Sequence, residues 1–269
     1  MANHSKNRRK AHVEGIGRKT ELLMRGFMRL PLVNRWHPWL KESKTDMRWL
    51  PINQDIDMPG DAPMPVDLLH RLIDEASHRV IMDYCGCRKG WKCKDYPHEI
   101  GCLLMGDSAL EAQRFPFREV DPEEAHEHVR KAVAAGLVPI VGKARADNFI
   151  FKIKDRHRLL TVCFCCECCC VTRFASYAPL QYLEPTFTVL DGISVTVDAE
   201  KCKGCGKCVK RCYIGAVEVD GRKATISEYC RACGRCAITC PTGAIEVKIT
   251  DPDFLEKAHE QIRSYVQYD

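Results

Sequence analysis

The spacing of apolar residues near the N-terminus predicts one amphipathic helix in an otherwise extended arm. Leu23, Phe27 and Leu30 fall on one helical face, and arginines line the opposite face. Prolines then accumulate between residues 51 and 65, which indicates an extended linker rather than a helix or strand. We therefore expect residues 1–64 to form a helical arm followed by a Pro-rich linker.

Two segments after the linker carry local helix signals. Residues 66–79 are amphipathic at helical spacing, and Pro65 suits the first helical position. Farther on, Asp121 and Pro122 are typical of a helix start, and Gly136 is typical of a helix end. Each segment is expected to pack one apolar face on a core.

Strand patterns follow each of these helices. Two apolar runs, at residues 137–141 and 149–153, flank a polar turn and predict a β-hairpin. Together with the preceding helix, this pattern resembles a winged-helix fragment. Near the C-terminus, alternating segments predict four strands: 194–197, 216–219, 223–226 and 244–249. A final helix with Asp251 as its cap is expected to dock on these strands.

The positive charge is concentrated in the arm. Residues 1–50 carry twelve Lys and Arg against four Asp and Glu, although the whole chain has a net charge of only +5. A basic amphipathic helix of this kind covers the protein's own core, docks on a partner protein or lies on an anionic membrane surface. The sequence leaves these three interpretations open.

Cysteine is the most informative residue type in the composition. The chain has 18 cysteines among 269 residues, and its first residues carry no apolar segment typical of a secretory signal. No stretch reaches the length of a membrane span, about 18 apolar residues. Because disulfides are rare in unexported proteins, closely spaced cysteines indicate metal ligands and a reducing, anaerobic cytoplasm.

Two cysteine runs near the C-terminus share one spacing. The pattern Cys-x2-Cys-x2-Cys-x3-Cys begins at Cys202 and again at Cys230. A shift of 28 residues superimposes the runs and takes Gly215 onto Gly243, which indicates a duplicated half-domain. Three thiolates at this spacing can wrap three corners of an iron–sulfur cube within one tight loop. The fourth ligand must then come from elsewhere.

The paired runs resemble the bacterial two-[4Fe–4S] ferredoxin, in which the fourth Cys of each run ligates the other run's cluster. Carried over by position, the resemblance implies two ligand sets: Cys202, Cys205, Cys208 and Cys240, and Cys230, Cys233, Cys236 and Cys212. Pro241 follows Cys240 as in the family, but Tyr213 follows Cys212, so the loop there is expected to differ. A zinc ribbon, which needs only CxxC pairs, is the alternative.

The N-terminal half contains ten more cysteines in two segments. One segment is a Gly- and Lys-rich loop that we interpret as a third cluster site, with ligands Cys85, Cys87, Cys93 and Cys102. Buried unliganded thiols are the alternative there. The other segment is a run of eight residues in which a subset would ligate a further cluster: Cys163, Cys165, Cys166, Cys168, Cys169 and Cys170. Within it, Cys163, Cys166 and Cys169 have the three-ligand spacing of a cube-binding loop.

The arrangement of this half resembles the N-terminal half of larger iron–sulfur proteins of anaerobes. The likeness rests on a C-x-C-R opening, an "EEA…AGLV" helix and the C-x-C-C-x-C-C-C run, and it covers residues 80–249. Ten thiols exceed the eight that two cubes need. One cube, two cubes with two spare thiols, and a noncubane cluster with unusual ligation therefore stay open.

These features predict an α+β chain of four parts. A basic arm and linker (1–64) precede a Cys-rich iron–sulfur domain of mixed α/β structure with the winged-helix-like stretch (65–190). A ferredoxin-like domain with pseudo-twofold symmetry and two clusters follows (191–250), and a packing helix (251–269) ends the chain. The expected cofactors are two [4Fe–4S] clusters and one or two additional iron–sulfur clusters.

The function expected from the sequence is electron transfer between redox partner enzymes. No dinucleotide-binding loop, P-loop or flavin motif is present, so no substrate chemistry is assigned to the chain itself. The alternatives are a reductase or catalytic subunit with a substrate-binding N-terminal cluster, and a redox-responsive DNA-binding regulator. We expect redox proteins to dock on the basic arm, in the cytoplasm or at the inner face of the membrane, and nucleic acid is the least favoured partner.

Overall fold

The chain combines α-helices and β-strands throughout. The structure, a computed structural model, describes residues 19, 21–28, 30, 40, 45–51 and 64–269. Most of the predicted arm and linker, including Trp36 and Trp39, lies outside the described residues. In the described residues no helix is long and apolar enough to cross a membrane.

A seven-stranded sheet organises the N-terminal part of the chain, in the order β4-β2-β3-β6-β5-β1-β7. Neighbouring strands are antiparallel except β1 and β7, which are parallel. The strands are β1 (Asp46–Trp49), β2 (Arg79–Met82), β3 (Leu103–Met105), β4 (Phe117–Glu119), β5 (Val138–Lys143), β6 (Leu160–Cys165) and β7 (Phe187–Thr188).

Helices connect the strands of this sheet and continue into the C-terminal part of the chain. They are α1 (residues 21–28), α2 (Pro65–Glu75), α3 (Gly86–Gly90), α4 (Pro122–Ala134), α5 (Arg145–Phe151), α6 (Leu180–Leu183), α7 (Lys207–Arg211), α8 (Arg235–Ile238) and α9 (Phe254–Tyr265). Among the described residues, three further segments are 3₁₀-helical: Asp107–Arg114, Arg156–Arg158 and Val171–Tyr177.

Strand β1 lies in a segment that the sequence analysis assigned to the arm and linker. All four of its residues are buried, and it pairs with β5 on one side and β7 on the other. Burial of its arginine, Arg48, without a partner would cost free energy, but the Asp46 carboxylate accepts a hydrogen bond from the guanidinium at 2.9 Å. The segment before the linker is therefore part of the core sheet.

Helix α1 is helical as predicted, but it buries a different face. Met24 and Met28 pack into the core, whereas Leu23, Phe27 and Leu30 are exposed. The predicted apolar face thus does not cover this protein's own core.

Helix α4 begins and ends where the sequence predicts. The Asp121 carboxylate accepts a hydrogen bond from the Glu124 backbone N–H at 2.8 Å, and Pro122 occupies the first turn. Gly136 takes a φ of 74° just beyond the helix, a conformation that glycine adopts without steric cost. Burial of Val129 fixes the inner face of this helix on the core.

The prediction of a β-hairpin after α4 is wrong. Strand β5 forms, but residues 145–151 are helical, and β5 pairs with β6 instead. The winged-helix resemblance depended on that hairpin. The DNA-binding alternative therefore loses its structural support.

The C-terminal part contains two small antiparallel sheets. One pairs β8 (Ile193–Val197) with β11 (Ile245–Ile249), and the other pairs β9 (Val217–Asp220) with β10 (Lys223–Ile226). These four strands match the predicted ones. Helices α7 and α8 each follow a cysteine-rich loop and contact each other.

Helix α9 was expected to dock on the small sheets, and Ile249 of β11 does share an apolar cluster with it, but the main helix contact of α9 lies elsewhere. It packs on α2, and its apolar residues Phe254, Leu255 and Ile262 join the core of the seven-stranded sheet. A polar network reinforces this contact: Tyr268 donates to Glu75 at 2.7 Å, and His259 Nε2 lies 2.7 Å from the same carboxylate oxygen. The C-terminal helix therefore ties the chain's end to its N-terminal domain.

Replacing Glu75 with glutamine is expected to lower the free energy of unfolding by about 1–2 kcal/mol at pH 7. Burial by itself raises the pKa of Glu75, but hydrogen bonds from Tyr268, His259 and Arg71 lower it from 4.5 to about 2. This contribution is complete above pH 4.5 and is lost as the pH falls toward 2. Urea unfolding at several pH values, followed by circular dichroism, measures it.

The matched control is Glu256→Gln. Glu256 contacts Arg71 from an exposed position on the same helix pair, so its loss should change stability by less than about 0.5 kcal/mol. Equal losses in the two variants would contradict the assigned role of Glu75.

Candidate metal centres

Four thiols drawn from both C-terminal runs line one cavity, which we call centre I: Cys202, Cys205, Cys208 and Cys240. Cys240 comes from the second run, 32 residues after Cys208. Pro241 and Gly204 also line this cavity, Cys205 is exposed and Cys208 is buried. Centre I therefore reaches the protein surface on one side.

The remaining thiols of the two runs line a second cavity, centre II: Cys212, Cys230, Cys233 and Cys236. Two large aromatic residues, Trp49 of β1 and Tyr213, line the same cavity, with their ring centroids 5.9 Å apart. Tyr213 is the residue at which the sequence departs from the ferredoxin pattern. In the structure its ring occupies the space between centre II and the N-terminal sheet.

The backbone around both centres is suited to thiolate sulfur. Backbone N–H groups donate to the sulfur of Cys212 from Ala216 at 3.2 Å and to the sulfur of Cys240 from Ala244 at 3.3 Å. These two bonds occupy equivalent positions in the 28-residue repeat. Hydrogen bonds of this kind stabilise anionic sulfur and tune a bound cluster's potential. The donor sets therefore fit [4Fe–4S] clusters.

Positive φ angles recur at the same repeat spacing. Gly204 and its counterpart Ala232 have φ of 64° and 53°, and Gly206 and Gly234 have φ of 69° and 73°. A Cβ on Gly204 would lie 2.8 Å from backbone carbon atoms of Arg222. Only glycine fits that position without displacing the backbone.

Replacing Gly204 with alanine is expected to destabilise the fold by about 2–3 kcal/mol and to accelerate loss of metal from centre I. Gly221→Ala is the matched control, because Gly221 also has a positive φ, 62°, but a Cβ there meets no atom within 4 Å. The control should cost about 1 kcal/mol. Bleaching of the visible absorption in air, compared between the two variants, measures the difference, and equal rates would contradict it.

Burial controls the proton affinity of the centre II thiols. It raises the pKa of Cys233 to about 11 and that of Cys236 further still. These thiols hold their protons at neutral pH when no metal is bound, so metal binding releases protons. Metal affinity at centre II is therefore expected to rise with pH.

The structure regroups the ten N-terminal thiols into two sets. The larger set, the six-thiol chamber, lines one apolar cavity of about 100 Å³, to whose wall Cys166 of the second set also contributes: Cys85, Cys87, Cys102, Cys163, Cys165 and Cys170. Two pairs are close, with sulfur–sulfur distances of 3.4 Å for Cys102 and Cys163 and 2.9 Å for Cys165 and Cys170. The predicted loop site thus contributes three of its four cysteines to this chamber.

Strand pairing explains how distant cysteines meet here. Leu103 of β3 is paired with Val162 of β6, so Cys102 and Cys163, one residue farther along each strand, lie side by side. Cys163 consequently pairs with Cys102 and is not among the close-set thiols that include Cys166 and Cys169, with which its spacing had predicted a common loop site.

A buried arginine compensates charge at the chamber wall. Arg88 is 1% exposed and lines the cavity, and its guanidinium donates to the carbonyl oxygens of Pro97 at 2.8 Å and Phe164 at 2.7 Å and to that of Ile100. Burial lowers its pKa, but thiolate charge, led by that of Cys85, outweighs this effect and raises it. A buried cation bonded to carbonyl groups favours an anionic occupant of the chamber.

The second N-terminal set, the tetrathiol site, consists of Cys93, Cys166, Cys168 and Cys169, whose sulfur atoms all lie within 4.8 Å of one another. The sulfur of Cys168 lies 3.4 Å from Cys93, 3.6 Å from Cys166 and 3.3 Å from Cys169. Three of the four side chains are buried. Cys93 therefore joins the later run, not the loop cysteines with which it was predicted to act.

A buried ion-pair network connects the tetrathiol site to centre II. Glu167, between two cysteines of the tetrathiol site, accepts from Arg235 at 2.7 Å and from Tyr96 at 2.8 Å, and it also pairs with Arg211. Arg235 precedes Cys236 and Arg211 precedes Cys212 in the sequence. The sequence did not predict this network, although an acidic residue within a cysteine run, Glu167, indicated a buried ion pair.

Comparison with known families supports the C-terminal assignment. The model of the 4Fe–4S binding domain family matches residues 195–218 and 225–246. No curated protein and no solved structure matches the chain. The C-terminal part therefore contains a 4Fe–4S binding domain, and this match together with the thiol groups supports an iron–sulfur electron-transfer role.

Proposed function

We propose that the chain relays single electrons between two redox proteins through several iron–sulfur clusters. The observation that carries the proposal is the pair of centres I and II, each ringed by four thiols drawn from both cysteine runs. [4Fe–4S] clusters held by such thiols supply reversible one-electron transfer. The side chains of this protein set the burial, hydrogen bonding and order of the centres.

Contacts between the centres suggest the order in which electrons pass through them. Tyr213 packs in one apolar cluster with Cys165 and Cys170 of the six-thiol chamber and with Cys230 and Cys233 of centre II. Centre I, which has the exposed Cys205, is the natural point of exchange with an external protein. The proposed series is therefore the six-thiol chamber, centre II and centre I.

We assign a third iron–sulfur cluster to the six-thiol chamber. The six thiols of this set, together with Cys166 and the buried Arg88 in the same cavity wall, support an anionic metal–sulfur group there. In the C-terminal part, the positive φ angles that recur at the 28-residue spacing support a duplicated, pseudo-twofold arrangement of centres I and II.

Docking of a redox partner at the arm is part of the proposal, with the cytoplasm as its location. The exposed apolar residues Leu23 and Phe27 of α1, next to a basic N-terminal segment, support a protein partner with an acidic and apolar surface.

Rapid mixing of the anaerobically reduced chain with oxidised cytochrome c tests electron transfer. The proposal predicts that each chain delivers at least two electrons, in steps that involve no other substrate. Cys205→Ala, which removes a thiol of centre I, is expected to slow the delivery at least tenfold, while Cys87→Ala in the chamber leaves the fast phase intact. A reduced chain that delivers no electrons would overturn the proposal.

A second candidate function is that of a reductase whose substrate binds in the six-thiol chamber. The observation in its favour is Asp147, which lines the same cavity as the thiols, and whose buried Oδ2 has no hydrogen-bond partner among the described residues. Burial raises the pKa of Asp147 to about 6. A change in the chain's EPR spectrum on adding a substrate would favour this function, and the absence of any change across a panel of candidate substrates would count against it.

A further inference from the structure

The four sulfur atoms of the tetrathiol site are too close together for a cube. In a cube each thiolate binds a different iron, and the irons and sulfides hold the thiolates apart. Four thiolates around one ion, with metal–sulfur bonds of about 2.3 Å, form a tetrahedron with edges of about 3.8 Å. The three sulfur–sulfur distances of Cys168, from 3.3 to 3.6 Å, lie near that edge length.

The other thiol groups provide an internal contrast. Among the described residues, no three potential ligand atoms of centre I, centre II or the six-thiol chamber lie within 4.8 Å of one another as those of the tetrathiol site do. In the six-thiol chamber only pairs of sulfur atoms are close, Cys102 with Cys163 at 3.4 Å and Cys165 with Cys170 at 2.9 Å, so no three of its thiols surround one ion. The tetrathiol site therefore suits a different type of metal centre from the other three thiol groups.

The surroundings of the site fit a closed, fully protein-ligated ion. Cys93, Cys166 and Cys169 are buried, so four thiols and no open position face the centre. Arg173 donates to the backbone carbonyl oxygen of Cys168, and this bond holds the backbone of one of the four ligands. An ion there would join the loop of residues 85–102 to the turn that carries Glu167.

We propose that Cys93, Cys166, Cys168 and Cys169 bind a single tetrahedral metal ion, zinc or iron, and not an iron–sulfur cluster. The ion fixes the turn that presents Glu167 to Arg211 and Arg235, and so holds the N-terminal domain against the 4Fe–4S binding domain. This site does not depend on the electron-transfer proposal, because it needs no sulfide and no redox partner.

Metal and acid-labile sulfide analysis of the full chain, purified anaerobically, tests the proposal. The wild-type chain is expected to contain either about one zinc, or about one iron in excess of sulfide. Cys93→Ala should lose that one ion with its sulfide content unchanged, and the chamber variant Cys102→Ala should keep it. The identity of the lost metal distinguishes zinc from iron.

Two results would overturn the single-ion site. One is loss of about four irons together with about four sulfides from Cys93→Ala, which would indicate a cube. The other is wild-type protein with neither zinc nor excess iron, a result that does not depend on how the variant folds. If centres I and II bound no clusters, the chain would contain less sulfide but would keep the single ion. The two proposals can therefore be refuted separately.

Discussion

Replacing Cys202 and Cys240 together with alanine is expected to remove about four irons per chain, no more than either single replacement removes. The reason is that these two residues line the same cavity, although they belong to different runs. By contrast, Cys202→Ala combined with Cys212→Ala, two replacements within one run, should remove about eight irons, because the pair disables both centres.

Iron and sulfide analysis of the two double variants distinguishes crossed from uncrossed ligation. If each run held its own cluster, the order of the losses would reverse: about eight irons from the first double variant and about four from the second. That reversed result would exclude the crossed ligand sets.

Replacing Glu167 with glutamine is expected to destabilise the chain by about 3 kcal/mol. The side chains of Glu167 and Arg235 are 11% and 5% exposed, and removing the carboxylate charge leaves the guanidinium buried without its counter-charge. Since Arg235 precedes Cys236, the change should also loosen centre II. Urea unfolding under argon measures the stability, and the rate of cluster bleaching in air measures the effect on the centre.

Arg211→Gln is the control for this network. Arg211 pairs with the same carboxylate, but its side chain is 43% exposed, so its loss should cost less than about 1 kcal/mol. A Glu167→Gln variant as stable as Arg211→Gln would show that the network contributes no more than a surface ion pair.

Local signals were sufficient for part of the fold. Asp121, Pro122 and Gly136 define α4 through caps that act within a few residues, and the structure confirms both of its ends. The cysteine spacing and the alternating strands of the C-terminal part are also local, and the family match at residues 195–246 supports their interpretation.

Short apolar runs were ambiguous, as α5 illustrates. The run at residues 149–153 alternates like a strand, which would place Phe149 and Phe151 on the same face. In the structure Phe149 is exposed while Ile150 and Phe151 are buried, as a helix requires. The partner of β5 is instead β6, whose distance along the chain no local pattern encodes.

The grouping of the N-terminal thiols depends on tertiary contacts and could not be predicted from their spacing in the sequence. Cys102 meets Cys163 because β3 pairs with β6, and Cys93 meets Cys168 because the loop folds over the turn after β6. Spacing identified all ten thiols as candidate ligands. Their division into six and four follows only from the path of the chain through the sheet.

Potentiometric titration of the full chain, monitored by EPR, tests the central claim most directly. The account predicts that reduction with dithionite produces signals typical of [4Fe–4S] clusters, that they integrate to at least about two unpaired electrons per chain, and that they disappear reversibly on oxidation. A chain purified without oxygen that contains zinc but no sulfide, and that shows no reducible signal, would contradict the account.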